Sequence, residues 1–193
     1  MRLFTKRGFT LIELLIAISI IAIISAIGLV TYSQSQIIAR DARRKQDLRS
    51  IATALELYRQ TNKHYPCSSA NLYSLASADW QKSNSASDPW IIDAPAPCST
   101  TPVAFDINYI NKVPRDPKAD AGNPISANVT GYSYWSGLGA TAPCPTAPNQ
   151  YYVLAAGLEN SNDPDANGTT HKYKYCDDTA LSIQANVFII TSQ

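Results

Sequence analysis

One carboxylate stands in a stretch of sequence where carboxylates are rarely found. Glu13 is followed by seventeen residues, 14–30, that include no charged residue and no proline. An acid at bilayer depth costs on the order of 2.5–3.5 kcal/mol on insertion scales, so it usually has a partner or a function. Two interpretations are open. The carboxylate lies in the first turn of a helix, where the helix dipole favours an anion, or it pairs with a positive charge.

A second set of reactive side chains forms an acidic loop, residues 158–168, late in the chain. A hard cation such as calcium takes about six to eight oxygen ligands, and a loop this dense in oxygen donors favours a calcium site. The spacing is not that of an EF-hand, and clusters of Asn, Asp, Gly and Pro often form ordinary turns. A turn without metal is therefore the alternative. The candidate ligands are Glu159, Asn160, Asn162, Asp163, Asp165 and Asn167.

Four cysteines follow the apolar stretch and none precedes it. They form no Cys-x-x-Cys pair and no His stands at zinc spacing, which argues against a zinc site. An even number in an exported domain indicates disulfides, and three pairings are open. We favour Cys67 with Cys98 and Cys144 with Cys176, because each pair closes a loop of about thirty residues that is otherwise poor in structure, worth on the order of 3 kcal/mol.

The composition gives no support for catalysis or for nucleic-acid binding. The 193 residues carry a net charge of +1, and only 16% of them are charged, so no basic surface is indicated. There is no glycine-rich phosphate loop and no nucleophile elbow, and neither His64 nor His171 has an associated nucleophile motif. We therefore predict that the protein is not an enzyme.

The elements that position these residues begin with one long helix. As a helix, 9–30 would be roughly 33 Å long, enough to span a hydrocarbon core of about 30 Å. The helical pattern continues through 31–62 as an amphipathic half, because apolar residues recur there every three or four positions. That stripe consists of Leu48, Ile51, Ala52, Leu55 and Tyr58. The helix is predicted to end near Asn62, since Pro66 disfavours helix at the residue before it.

The rest of the chain predicts an irregular region followed by a sheet. Residues 63–130 are rich in Ser, Ala, Asn, Asp and Pro, with one short helix expected at 72–80. Runs of β-branched and aromatic residues predict strands at 132–135, 151–155 and 183–190. An antiparallel sheet within 131–193, with one face partly in water, would pack on the stripe of the helix. The predicted fold class is α+β.

The amino-terminal sequence resembles a known export signal. Lys6-Arg7-Gly8-Phe9-Thr10-Leu11-Ile12-Glu13-Leu14-Leu15 is similar to the class III signal of type IV pilins and type II secretion pseudopilins. The resemblance implies that 1–8 is a leader, that a prepilin peptidase cuts between Gly8 and Phe9, and that the new amino terminus is methylated. It also implies a pilin-like fold with a variable linker at 63–130.

Two later segments carry the same resemblance. Val113-Pro114-Arg115-Asp116-Pro117, followed by Gly122-Asn123-Pro124, looks like the Leu-Pro-x-Asp-Pro…Gly-x-Pro segment of major pseudopilins, although the interval between its halves is longer here. Major pseudopilins also have a calcium loop at a place similar to 158–168. These matches favour a pseudopilin-like head, whereas the domain length and the cysteines also suit a pilin.

The resemblance implies a role in filament assembly for Phe9 and Glu13. Cleavage would create an ammonium at Phe9, which would pair with Glu13 of a neighbouring copy and set the register of a helical filament. The expected function is a subunit of a type IV pilus-like filament. The first alternative is the major pseudopilin of a type II secretion pseudopilus, and the second is a membrane-anchored binding module that does not polymerise.

The expected partners and locations follow from the same resemblance. The partners are other copies of the chain, the prepilin peptidase and an inner-membrane assembly platform. The precursor would cross the inner membrane once, with its carboxy-terminal head outside, before it enters an extracellular pilus or a periplasmic pseudopilus. Counting basic residues does not decide the orientation, since Arg2, Lys6 and Arg7 are matched by a basic run at 40–49.

Overall fold

The structure, a computed structural model, describes most of the long helix and the central part of the sheet. The described residues are 8–68, 81–83, 90–93, 103–105, 108–116, 118, 124, 129–137, 151–166 and 184–192. The fold divides into two units, Met1–Ala39 and Arg40–Gln193.

The helix α1 comprises Leu11–Asn62, so the predicted helix is confirmed. It begins two residues later than the sequence predicts because Thr10 takes the cap position. At the other end the backbone turns left-handed at Lys63, with φ of 66°. The Lys63 N–H donates to the Arg59 carbonyl at 2.8 Å and the Asn62 side chain donates to the Tyr58 carbonyl at 3.1 Å. These bonds satisfy carbonyl groups that the end of a helix leaves without partners.

The described strands form two antiparallel sheets. The larger has the order β1-β4-β5-β6, and β2 pairs with β3 in the smaller. Their bounds are β1 Gln81–Lys82, β2 Ile92–Asp93, β3 Val103–Ala104, β4 Gly131–Gly137, β5 Tyr151–Gly157 and β6 Val187–Thr191. The three predicted strands correspond to β4, β5 and β6, although β6 starts at Val187 rather than at 183. The short strands β1 to β3 lie in the region expected to be irregular, and the helix expected at 72–80 lies outside the described residues.

The core of the second unit forms where the stripe of α1 meets alternate residues of the sheet. Leu48, Ile51 and Leu55 are fully buried. They belong to one hydrophobic cluster with Tyr132, Tyr134, Tyr152, Leu154, Ala156 and Phe188. The α+β architecture is therefore confirmed, with the sheet packed on the amphipathic half of the helix.

The expectation of a partly wet sheet face is wrong for the two central strands. From Tyr152 to Gly157 every residue of β5 is buried, and only Tyr151 is exposed. In β4 the residues between those that face the helix are buried as well, including Ser133 and Trp135. Both faces of β4 and β5 are therefore covered from Tyr152 onward, and Tyr132, Tyr134 and Tyr152 belong to the core rather than to a half-solvated surface.

Candidate functional site

The amino-terminal site begins with the predicted cleavage position, between Gly8 and Phe9, and a capped helix. Phe9 is 92% exposed, and no atom of the described residues lies within 4 Å of a Cβ added at Gly8. The Thr10 N–H and hydroxyl donate to Glu13 Oε2 at 2.9 and 2.8 Å, and the Glu13 N–H donates back to the Thr10 hydroxyl at 3.3 Å. This reciprocal pair is a capping box. In the uncleaved chain the carboxylate is held by its own helix terminus, as the first-turn interpretation of the sequence proposed.

The capped terminus leads into an apolar helix surface that no part of the described fold covers. From Leu11 to Ile27 the large apolar side chains are all more than half exposed. The helix is long and apolar enough to cross a membrane, by its length and composition. A surface of this size is far larger than the apolar patches of ordinary soluble monomers, so it marks a contact with lipid or protein.

In the second unit the sequence reasoning missed a buried charge cluster around Arg44, whose side chain is 1% exposed. Its guanidinium donates to Asp116 at 2.6 and 3.1 Å, to Asp41 at 2.7 Å and to Glu159 at 2.8 Å. Burial acts to lower the pKa of Arg44, but these hydrogen bonds to carboxylates outweigh it and the pKa lies above its ordinary value. The guanidinium therefore stays charged and joins the helix to two loops.

Glu159, which was predicted as a calcium ligand, is instead bound by cations of the chain itself. Arg40 donates to both of its carboxylate oxygens at 2.7 Å, in the bidentate geometry that suits a guanidinium. Lys118 adds a third cation at 3.1 Å. The hydrogen bonds from Arg40, with those from Arg44 and Lys118, hold the pKa of Glu159 well below its usual value despite partial burial.

The two aspartates of the acidic loop share a single ammonium. Lys45 Nζ lies 3.0 and 3.1 Å from the oxygens of Asp163 and 2.8 Å from Asp165 Oδ2. Burial acts to lower the pKa of Lys45, but the bonds to the two aspartates outweigh it and raise the pKa. The same contact lowers the pKa of Asp165. Lys45 and Asp165 are thus charged together at neutral pH.

The described ligand atoms do not form the oxygen shell that calcium requires. Asn160 Oδ1 accepts a hydrogen bond from the Asn162 N–H at 3.1 Å, and Asp163 Oδ1 accepts one from the Asp165 N–H at 2.9 Å. The Glu159 and Asp163 oxygens are directed at arginine and lysine. Within the described residues no group of three or more His, Cys, Asp and Glu side chains is placed to hold a metal ion. Asn167 lies outside those residues, and calcium binding stays a prediction.

Helical spacing could have identified the missed arginine. Positions 41, 44, 48, 51, 55 and 58 recur every three or four residues, so Asp41 and Arg44 continue the buried stripe by about two turns toward the amino terminus. A charged pair on the apolar face of an amphipathic helix indicates a buried ion pair with partners elsewhere. The stripe predicted from the sequence began at Leu48 and therefore left Arg44 out.

The cysteines are described only in part. Cys67 is fully buried and disulfide-bonded. Cys98, Cys144 and Cys176 lie outside the described residues, so both proposed pairings stay predictions.

Comparison with known proteins gives two family matches. Residues 3–29 match the prokaryotic N-terminal methylation motif, and residues 32–98 match type II secretion system (T2SS), protein G. Together they cover residues 3–98 apart from 30 and 31, which include nearly all of α1 and the first part of 63–130. The chain therefore carries the prokaryotic N-terminal methylation motif and a stretch similar to protein G of type II secretion.

The chain is similar to two curated relatives that carry the same name. It is 29% identical over 162 residues to the type II secretion system core protein G of Pseudomonas aeruginosa, covering 83% of this chain and 92% of that one. It is 27% identical over 115 residues to the Escherichia coli protein of the same name, covering 58% of this chain and 66% of that one. No solved structure gives a significant match. The findings favour the pseudopilin alternative over the expected type IV pilus subunit.

Proposed function

We propose that the protein is the major pseudopilin of a type II secretion system, a structural subunit and not an enzyme. The observation that carries this choice is the match of 32–98 to protein G of that system, since the methylation motif alone is common to pilins and pseudopilins. The proposal replaces the type IV pilus as the main expectation. It also places the mature filament in the periplasm rather than on the cell surface.

The described helix supports assembly through its first half. The apolar side chains from Leu11 to Ile27 are exposed, and in water such a surface must be covered by lipid or by other copies. After cleavage between Gly8 and Phe9 the new ammonium lies directly beside the capping box of Glu13. A neighbouring copy that brings its own ammonium to Glu13 would neutralise the carboxylate inside the filament, where an unpaired charge is costly.

The family proposal is tested in the native cell with a strain that lacks this chain. We expect the strain to lose secretion of exported enzymes into the medium while its surface pili persist, and to regain secretion when the chain is returned. The purified protein should begin at a methylated Phe9. Loss of surface pili with normal secretion would favour the pilus subunit, and a chain that still begins at Met1 and forms no filament would favour a tethered binding module.

The role of Glu13 is tested with variants that separate charge from capping. Glu13→Gln keeps a side chain that can complete the capping box but removes the charge, whereas Thr10→Ala removes the cap at a cost of about 1 kcal/mol and keeps the charge. If pairing sets the register, Glu13→Gln abolishes filament formation and Thr10→Ala does not. The opposite ranking would assign Glu13 to helix capping alone.

A further inference from the structure

The acidic loop contacts the helix through a lysine placed where a loop of this composition would hold a metal. Lys45 Nζ lies within 2.8–3.1 Å of three oxygens from Asp163 and Asp165. Its side chain is 15% exposed and that of Asp163 is 10% exposed. An ammonium with three donors, in contact with three carboxylate oxygens and largely shielded from water, has its hydrogen-bonding capacity filled.

We propose that Lys45 is the resident cation of the acidic loop, so that the loop is held on the helix by the chain's own charge and does not need calcium. The proposal departs from the calcium site that the sequence favours. It concerns the stability of the head and does not depend on the kind of filament that the protein forms.

The backbone hydrogen bonds of the loop support the proposal, because they are made to α1 and within the loop without a metal ion. Asp41 accepts from the N–H groups of Glu159 and Asn160 at 3.0 and 2.9 Å, which fixes the start of the loop to α1. Two further turns close with bonds from Asp163 to the Asn160 carbonyl and from Ala166 to the Asp163 carbonyl, at 3.2 and 3.0 Å. The loop geometry is therefore satisfied with lysine as the cation.

The charged side chains around the loop also support the proposal. Four cationic side chains of the second unit, Arg40, Arg44, Lys45 and Lys118, face the five carboxylates of Asp41, Asp116, Glu159, Asp163 and Asp165. The carboxylates are thus almost fully neutralised by partners fixed on the protein. A divalent ion entering at Asp163 and Asp165 would meet the Lys45 ammonium, and at about 4 Å that repulsion is large where water is partly excluded.

The experiment measures thermal unfolding of the full chain in detergent, followed by tryptophan fluorescence, with millimolar calcium or with a chelator. We expect the unsubstituted protein to melt at the same temperature in both. Lys45→Met keeps the length of the side chain but removes the cation, and it should lower the melting temperature in chelator by roughly 5 °C. Lys112→Met, at an exposed lysine, is the matched control and should have the same melting temperature as the unsubstituted protein.

The same variant shows whether the freed carboxylates can take a metal. Part of the loss in Lys45→Met should be recovered in calcium, because the aspartate oxygens become open to another cation. A loss that calcium does not recover still supports Lys45 as the resident cation, since one ammonium needs fewer oxygens than calcium does. The proposal is overturned if the unsubstituted protein melts higher in calcium than in chelator. The proposal is also overturned if Lys45→Met has the same melting temperature as the Lys112→Met control.

Discussion

Isoleucine occurs in both halves of α1, and its surroundings differ completely between them. Ile24 in the first unit is 64% exposed, whereas Ile51 in the second is fully buried. The first half keeps its apolar surface for contacts with lipid or with other copies, and the second half uses its apolar surface to build a core with the sheet. One helix thus combines a proposed assembly surface with part of the core of a folded domain.

The charged residues of the two halves differ in the same way. Glu13 is exposed and its hydrogen bonds come from Thr10, three residues away. Arg44 is buried, and its partners Asp116 and Glu159 lie 72 and 115 residues away in sequence. A local contact leaves Glu13 able to change partner at little cost, whereas the long-range contacts of Arg44 hold the helix and two loops together. Substitutions in the two halves should therefore affect different measurements.

The largest effect on the head should come from Arg44→Met. The substitution removes the buried cation that the carboxylates of Asp41, Asp116 and Glu159 contact. Breaking a buried ion pair in this way costs about 3–5 kcal/mol of folding stability. Chemical unfolding of the full chain in detergent, followed by tryptophan fluorescence, measures the loss. Arg43→Met is the control, because Arg43 is 69% exposed and should change stability by less than about 0.5 kcal/mol. Equal losses in both variants would contradict the role assigned to the buried guanidinium.

The matched isoleucines test the comparison most directly. Ile51→Ala removes buried side-chain atoms from the core cluster and should lower the free energy of unfolding by about 3 kcal/mol. Ile24→Ala changes an exposed position and should leave the unfolding of the head unchanged, although it removes part of the proposed assembly surface. The same unfolding measurement applies to both variants. A comparable loss from Ile24→Ala would show that the first half contributes to the stability of the head.

The matched glycines give a smaller effect. A Cβ on Gly157 would lie 1.9 Å from the Val129 carbonyl oxygen and 3.1 Å from Pro124 Cβ, so Gly157→Ala must displace backbone and should cost about 2 kcal/mol. At Gly28 no atom in the described part of the chain lies within 4 Å of the added carbon. Gly28→Ala should therefore leave the head unaffected and favour helix in the first half. An unchanged unfolding curve for Gly157→Ala would mean that β5 does not approach Val129 this closely.

The sequence predicted those parts of the fold that depend on local periodicity. The stripe from Leu48 to Tyr58 and the alternation of β4 and β5 are local patterns, and both elements formed where they were expected. The burial of both sheet faces was not predictable, because the alternation of Tyr132 and Ser133 looks the same whether the polar position meets water or protein. The outcome depends on what covers the second face, which no strand pattern records.

The candidate sites divide along the same line. The amino-terminal motif could be recognised from the sequence because Gly8, Phe9 and Glu13 lie within six consecutive residues, and the roles of these residues in cleavage and assembly stay predictions. The charge cluster could not be recognised in this way, because it joins Arg44 to Asp116 and to Glu159 across long stretches of chain. The acidic loop was singled out as a place where carboxylates need positive charge, and calcium there stays a prediction. The sequence could not show that Arg40 and Lys45 supply this charge.

The smallest expected effect is a change in how the stability of the head depends on pH when Glu159 is substituted. The arginines hold the pKa of Glu159 below its usual value of 4.5, so the folded state binds this proton less readily than the unfolded state does. Its contribution to stability is therefore fully present above about pH 4.5 and falls as the pH drops toward the folded pKa. Glu159→Gln should lose on the order of 1–2 kcal/mol at pH 7 and show a shallower decline below pH 4.5 than the unsubstituted protein. Measuring the free energy of unfolding of both proteins from pH 7 to below pH 4.5 checks these two expectations. If the two proteins lose stability with falling pH in parallel, the contact with Arg40 does not stabilise the folded head.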